Sequence, residues 1–174
     1  PVSIEGKGTF PSIPNGYNTA TTFDCRLTFE DGQVCQLLSG ENELVLSGDK
    51  GRIRVNRGGL TGKPIEELTP SDEDRINDEI VKLCHGYDTS GMKGTLEKAG
   101  AHMQNFFDCI QNGGKAISDP HTHHRSCSAC HLANIAMQLN RKLQFDPVKE
   151  DFVGDEEASA MLKRKQRSKY SIYV

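Results

Sequence analysis

Residues 121–131 read HTHHRSCSACH, three histidines followed by Cys127, Cys130 and His131. The last five residues have the Cys-x-x-Cys-His spacing that tethers a c-type haem, and thiols beside imidazoles are also zinc ligands. Haem attachment needs both thiols on the vinyl groups, His131 as axial ligand and a fold that wraps a large apolar macrocycle. A structural zinc site more often shows two separated ligand pairs, and this chain has a single Cys-x-x-Cys, with His121, His123, His124 and the distant Cys84-His85 as the remaining donors. The cluster runs on without a break into LANIAMQLNRKL, a helical pattern in which Cys127, Cys130 and His131 share a side. Free cysteine commonly behaves as a small buried hydrophobe, so the sequence predicts packing cysteines here, with zinc and then haem as the alternatives.

The preceding HTHHRS falls at or just before the first turn of that helix, where unpaired backbone N–H groups favour anions and polar oxygens. His123, His124 and Arg125 are therefore candidates for contact with a hydroxylated or anionic ligand, the alternative being ordinary surface residues. Other motifs fail. Gly6-Lys7-Gly8 is followed by Pro11 and no helix opens after it, so the chain carries no dinucleotide fingerprint. No paired carboxylates or Ser/His/Asp arrangement stand out, and the basic tail LKRKQRSKY reads as a solvated or docked terminus.

The elements around the cluster change period along the chain. Phe23, Cys25, Leu27 and Phe29 alternate with Asp24, Arg26, Thr28 and Glu30, the pattern of a half-buried strand. With Val2–Ile4, QVCQLLS, ELVLSG and RIRVN this predicts a five-segment antiparallel meander with one apolar and one polar face. A two-residue turn at Asp31-Gly32 sets Thr28 opposite Cys35 and puts Cys25 and Cys35 on opposite faces, so reduced thiols are expected. Helices follow: one capped at Ser71-Asp72-Glu73-Asp74 and carrying Ile76, Ile80, Val81 and Leu83, and one at about 95–111 with His102, Phe106, Cys109 and Ile110 on a stripe. HGYDTSGMKG separates these two, and Gly113-Gly114 stops the second. The third starts near Asp119-Pro120 and ends at Arg141-Lys142, before a strand LQFDP and a short helix in DEEASAMLKR. Strands first and helices later give an α+β class, an open antiparallel sheet with helices packed on one face.

At 174 residues the chain suits a single domain, 1–174, able to bury a core. Charged residues make up 26% with a net charge of only −3, which speaks against a dedicated nucleic-acid binder. No apolar run reaches transmembrane length, and PVSIEGKGTF lacks the regions of a signal peptide, so no membrane partner and a cytoplasmic location are expected. The first residue is not Met and the chain opens into a strand-like segment, so it reads as a piece of a longer protein.

Taken in order, TTFDCRLTFEDG, SGENELVLSGDKGRIRVNRGGL, HMQNFFDCIQNG and HHRSCSACHLANIAMQLNRKLQFDPVKEDFVGDEEASAML resemble the C-terminal domain of bacterial Gfo/Idh/MocA-type oxidoreductases. This is the family of glucose–fructose oxidoreductase and inositol dehydrogenase. The likeness is most specific in the second half, in a His-x-x-Asn-Phe helix, a His-Arg-Ser helix start, Cys-His-Leu-x-Asn-Ile-Ala and an aromatic-Asp-Pro strand. It implies an open antiparallel sheet backed by helices, whose free polar face, with Arg26, Arg52 and Arg54, joins copies into a homo-oligomer. It also implies an N-terminal Rossmann domain as partner, with a glycine fingerprint, a Glu-Lys-Pro segment and an Asp-x-x-x-His motif, none of which this chain holds. NAD or NADP is then the cofactor of the full-length parent, none being bound by this chain, and no catalytic or metal residue falls here. The substrate implied is a sugar, polyol or similar hydroxylated molecule, with His123, His124, Arg125 and, more weakly, Arg57 on one wall of its pocket. The resemblance leaves open a non-catalytic binding or regulatory module of the same fold, and, since some relatives carry export signals, an exported parent.

Overall fold

The computed structural model describes residues 1–83, 96–164, 166, 167 and 169, with the side chains of 83 and 96–102 left aside. The described chain is α+β, built of antiparallel strands and helices, and it groups into two compact units, residues 1–40 with 124–174 and residues 41–123.

The first unit is built on strands β1 (Ser3–Thr9), β2 (Thr22–Thr28), β3 (Val34–Leu38), β7 (Leu143–Asp146) and β8 (Asp151–Phe152), in the order β3-β2-β1-β7-β8. The register Ile4↔Leu27, Gly6↔Cys25 and Gly8↔Phe23 puts one apolar face under helix α4 (Pro120–Leu139). Leu132, Ala133, Ile135 and Ala136 of α4 are buried there with Ile4, Cys25, Leu27, Leu143 and Phe145. Each fully buried Leu or Ile in such a core stabilises by about 1.5–3 kcal/mol. Gly6 lets the helix close on the sheet, since a Cβ there would lie 2.7 Å from the Cys25 sulfur and 3.2 Å from Met137 Cγ. Helix α5 (Glu156–Met161) adds Ala158 to the core and is capped by Asp155, whose carboxylate accepts the Ala158 N–H at 3.0 Å.

The opposite face carries Ser3, Glu5, Lys7, Asp24, Arg26 and Gln36 in register, polar on β1 and β2 as the alternation predicts, with Val34 and Leu38 of β3 exposed beside them. The meander is different from that expectation. Strands β4 (Glu43–Gly48), β5 (Gly51–Asn56) and β6 (Gly59–Thr61) form a separate three-stranded sheet in the second unit. Chain order does not fix pairing: after β3 the chain pairs β4 with β5 rather than returning along β3, and the free edge of β1 is taken by β7, which brings β8 with it. Arg26 is consequently on one sheet and Arg52 and Arg54 on another.

The β2–β3 turn also departs from the expectation. The Phe29 N–H donates to the Gln33 carbonyl at 2.9 Å, so Glu30, Asp31 and Gly32 form a three-residue loop with Gly32 left-handed at φ 83°. The extra loop residue shifts the register by one, setting Cys35 opposite Leu27 and on the same face as Cys25. The two are diagonal rather than opposite, and both are free thiols.

The second unit adds helices α1 (Lys63–Glu66), α2 (Pro70–Leu83) and α3 (Leu96–Asn112). Helix α2 begins two residues earlier than the Ser71 cap expected: Thr69 and Asp72 exchange hydrogen bonds in a capping box, with Pro70 at the first helical position. Its Ile76 and Ile80 remain 38% and 36% exposed, not a buried stripe. On α3, Phe106 and Ile110 are exposed and Cys109 half-buried, while among its described side chains the buried one is Asn105, which accepts the Ile117 N–H at 3.0 Å. Gly113 ends α3 at φ 73°, its N–H donating to the Cys109 carbonyl, as the sequence predicts. Cys84, all of HGYDTSGMKG including His85, the His102 side chain, and part of the basic tail lie outside the described residues.

Candidate binding cleft on helix α4

Helix α4 starts at a cap. The Asp119 carboxylate accepts the Thr122 N–H at 3.1 Å and the Thr122 hydroxyl at 2.6 Å, and these bonds hold its pKa down at about 2. The helix N-terminus expected to receive an anion is thus served by the protein's own carboxylate. His123, His124 and Arg125 lie in the next turn, all exposed. They do not form one patch, because consecutive helical residues point about 100° apart.

The side of α4 that carries His124, Cys127, Ser128 and His131, spaced by three, four and seven, lines an open cleft of about 1090 Å³. Its other wall is the turn between β7 and β8 and the segment after α5, with Lys149, Glu150, Asp151, Lys163 and Arg164. Leu132, Ile135, Phe145, Met161 and Leu162 form an apolar floor.

The β7–β8 turn is shaped by Asp146, whose Oδ1 accepts the N–H groups of Val148 at 2.9 Å and Lys149 at 3.0 Å. The next residue, Glu150, takes a left-handed φ of 54°, uncommon for a side chain of this size. That backbone turns its carboxylate to His124, whose Nε2 lies 2.9 and 3.1 Å from the two oxygens. Deeper in the turn, Asp151 Oδ1 accepts the Phe152 N–H at 2.8 Å and the Ser159 hydroxyl at 2.5 Å. The Ser159 hydrogen bond first, then that of Phe152, lowers the Asp151 pKa.

The Cys127/Cys130/His131 cluster is not helix packing. All three side chains are exposed, on the sides of α4 turned away from Leu132, Ala133 and Ala136. Among the described residues no three His, Cys, Asp or Glu side chains are grouped to hold a metal ion. Of the sequence candidates, His124 lines the cleft, while Arg57 belongs to the exposed β5–β6 turn of the other unit. Glu150, Asp151, Lys163 and Arg164 were missed. The sequence reads LQFDP as a strand, and no residue type announces a left-handed glutamate after it.

The glycine segments do not cradle a dinucleotide. Gly6 and Gly8 are mid-strand against Cys25 and Met137, and Gly62, at φ 129°, lies where a Cβ would meet the Arg52 carbonyl oxygen at 2.2 Å. They are packing and turn glycines. No helix among the described residues is long and apolar enough to cross a membrane.

Residues 88–172, just under half of the chain, match a family model of the Gfo/Idh/MocA group described as "Oxidoreductase family, C-terminal alpha/beta domain". No curated protein matches the chain.

Proposed function

We propose, for a chain whose residues 88–172 match the C-terminal alpha/beta domain of the Gfo/Idh/MocA oxidoreductase family, that residues 1–174 together serve as the substrate-binding domain of an NAD(P)-linked dehydrogenase. The observation that carries this reading is the cleft in which His124, fixed by Glu150, borders an apolar floor. Mixed walls of this kind suit a hydroxylated carbon skeleton: polar groups meet hydroxyls and the floor covers C–H surface.

In this reading the dinucleotide sits on a separate N-terminal Rossmann domain and supplies the hydride chemistry. No group among the described residues is fit for that role, and the chain is proposed not to turn over alone. Its own contribution is to bind and orient. Glu150 keeps the His124 ring in place so that a ring nitrogen and the nearby Ser128 can meet substrate hydroxyls. His123, Arg125 and, more weakly, Arg57 are proposed as further substrate contacts. The polar sheet face bearing Glu5, Lys7, Asp24 and Arg26 is the surface proposed to join copies of the protein. The substrate proposed is a sugar, a polyol or a close relative, and the parent is proposed to act in the cytoplasm.

The test is nicotinamide reduction by the full-length parent, followed at 340 nm with a panel of sugars and polyols. Turnover by the parent, none by the 174-residue chain, and a KM raised about tenfold in His124→Ala with a smaller change in kcat are expected. A parent that binds no NAD(P) overturns the reading in favour of a non-catalytic module.

A further inference from the structure

We infer that the α4 cleft takes an anionic hydroxylated ligand, a sugar acid or hydroxy acid, and that Arg164 receives its carboxylate. The inference rests on the reading of this chain as a substrate-binding domain and narrows the substrate class. Its basis is the state of the charged groups around the cleft. Both acidic groups there are already engaged: Glu150 with His124, and Asp151 with the Phe152 N–H and the Ser159 hydroxyl. Asp151 takes both bonds on Oδ1 and Glu150 turns both oxygens to one His124 nitrogen, so part of their acceptor capacity is used before a ligand arrives.

The cations differ. Lys149 stands 3.8 Å from Asp146, and the charge of Lys163 acts on Asp151. Arg164 lines the same cleft, and among the described residues it makes no hydrogen bond or ion pair. A guanidinium offers a fixed fork of N–H donors that matches a carboxylate in two parallel hydrogen bonds. A neutral polyol would leave that fork to water, whereas a sugar acid fills it and lays its carbon chain on Leu132, Phe145 and Met161. His131, on the same side of α4, adds a ring that can meet a hydroxyl.

D-gluconate and D-glucose have similar hydroxyl patterns, with a carboxylate on one only, and calorimetric titration of the 174-residue chain with each tests the inference. Gluconate is expected to bind at least about tenfold more tightly than glucose, the ratio falling as salt is raised. Arg164→Ala is expected to remove that preference and Arg164→Lys to restore part of it, with circular dichroism confirming that each variant is folded. Glucose binding as well as gluconate, binding of neither, or an unchanged preference in folded Arg164→Ala each overturns the inference. The function proposed above fails separately. A parent that oxidises neutral polyols while gluconate does not bind overturns only the anionic class. A chain that binds gluconate through Arg164, with a parent that binds no NAD(P), overturns only the dehydrogenase reading.

Discussion

His124 and Glu150 are joined at 2.9 Å although Glu150 must adopt a left-handed φ of 54° to make the contact. Both side chains are more than half exposed, 54% and 56%, so the pair contributes at most about 1 kcal/mol to stability. The left-handed backbone costs about 1–2 kcal/mol for a non-glycine residue. Glu150→Gly removes both terms and is expected to leave the urea midpoint unchanged or slightly raised. Glu150→Ala keeps the strained backbone and loses the pair, so its midpoint should fall. Equal losses in the two variants would show that the conformation carries no strain, and with it that Glu150 is not held there for His124.

The closeness of α4 to the sheet rests on Gly6. Gly6→Val would drive a side chain into the Cys25 sulfur and Met137 Cγ and should destabilise the first unit by about 1–3 kcal/mol in urea unfolding. Adding Cys25→Ala opens the space at 2.7 Å and should recover part of that loss, whereas additive losses would mean that the two sites do not meet.

The strand β2 was legible because its period is two and its Asp24/Arg26 side is polar, and the structure buries Cys25 and Leu27 as that pattern requires. Register was not. One loop residue more than a two-residue turn moves Cys35 to the other face, and Glu30-Asp31-Gly32 fits either turn. Sheet partition was equally hidden, since strand pairing between β1 and β7 joins residues far apart in the chain. The HTHHRSCSACH stretch was placed on the right helix but with the wrong phase. Cys127 precedes Ala136 by nine residues, about half a turn out of phase at 3.6 residues per turn, so burial of Ala136 turns Cys127 outward. The cleft needed the β7–β8 turn, whose shape depends on a backbone angle that residue type does not encode.

Two helix caps give the chain an acid-sensitive limb. Asp119 is held at about 2, below its ordinary 3.8, first by the Thr122 hydroxyl and then by the Thr122 N–H. Asp155 is lowered first by its hydrogen bond from Arg141 and then by the Ala158 N–H. A carboxylate whose folded pKa lies below its unfolded one stabilises fully above the unfolded value, and that contribution is lost as pH falls through the folded value. Stability should therefore decline between about pH 4 and about pH 2. Asp119→Asn, which can still cap without titrating, should flatten the decline, as should Asp155→Asn at the start of α5. Thermal midpoints against pH for the three proteins are the measurement, and parallel curves would rule out both caps as its source.

The thiols should separate by exposure. Cys35, Cys127 and Cys130 are exposed, whereas Cys25 lies under α4 with its sulfur 4.0 Å from the Ala133 carbonyl oxygen. Burial, and after it the charge of Asp24, pushes the Cys25 thiol pKa up and leaves less of the reactive thiolate. A disulfide reagent such as dithionitrobenzoate should label Cys35, Cys127 and Cys130 in the native chain within the first phase, and Cys25 only after denaturant is added. Peptide mapping by mass spectrometry assigns each site. Since Cys127 lines the cleft and Cys130 does not, labelling Cys127 alone, in a chain whose other exposed cysteines are serine, should weaken gluconate binding. Slow native labelling of Cys127 and Cys130 would instead place them in a packed interface and return the cluster to the buried role that its sequence suggested.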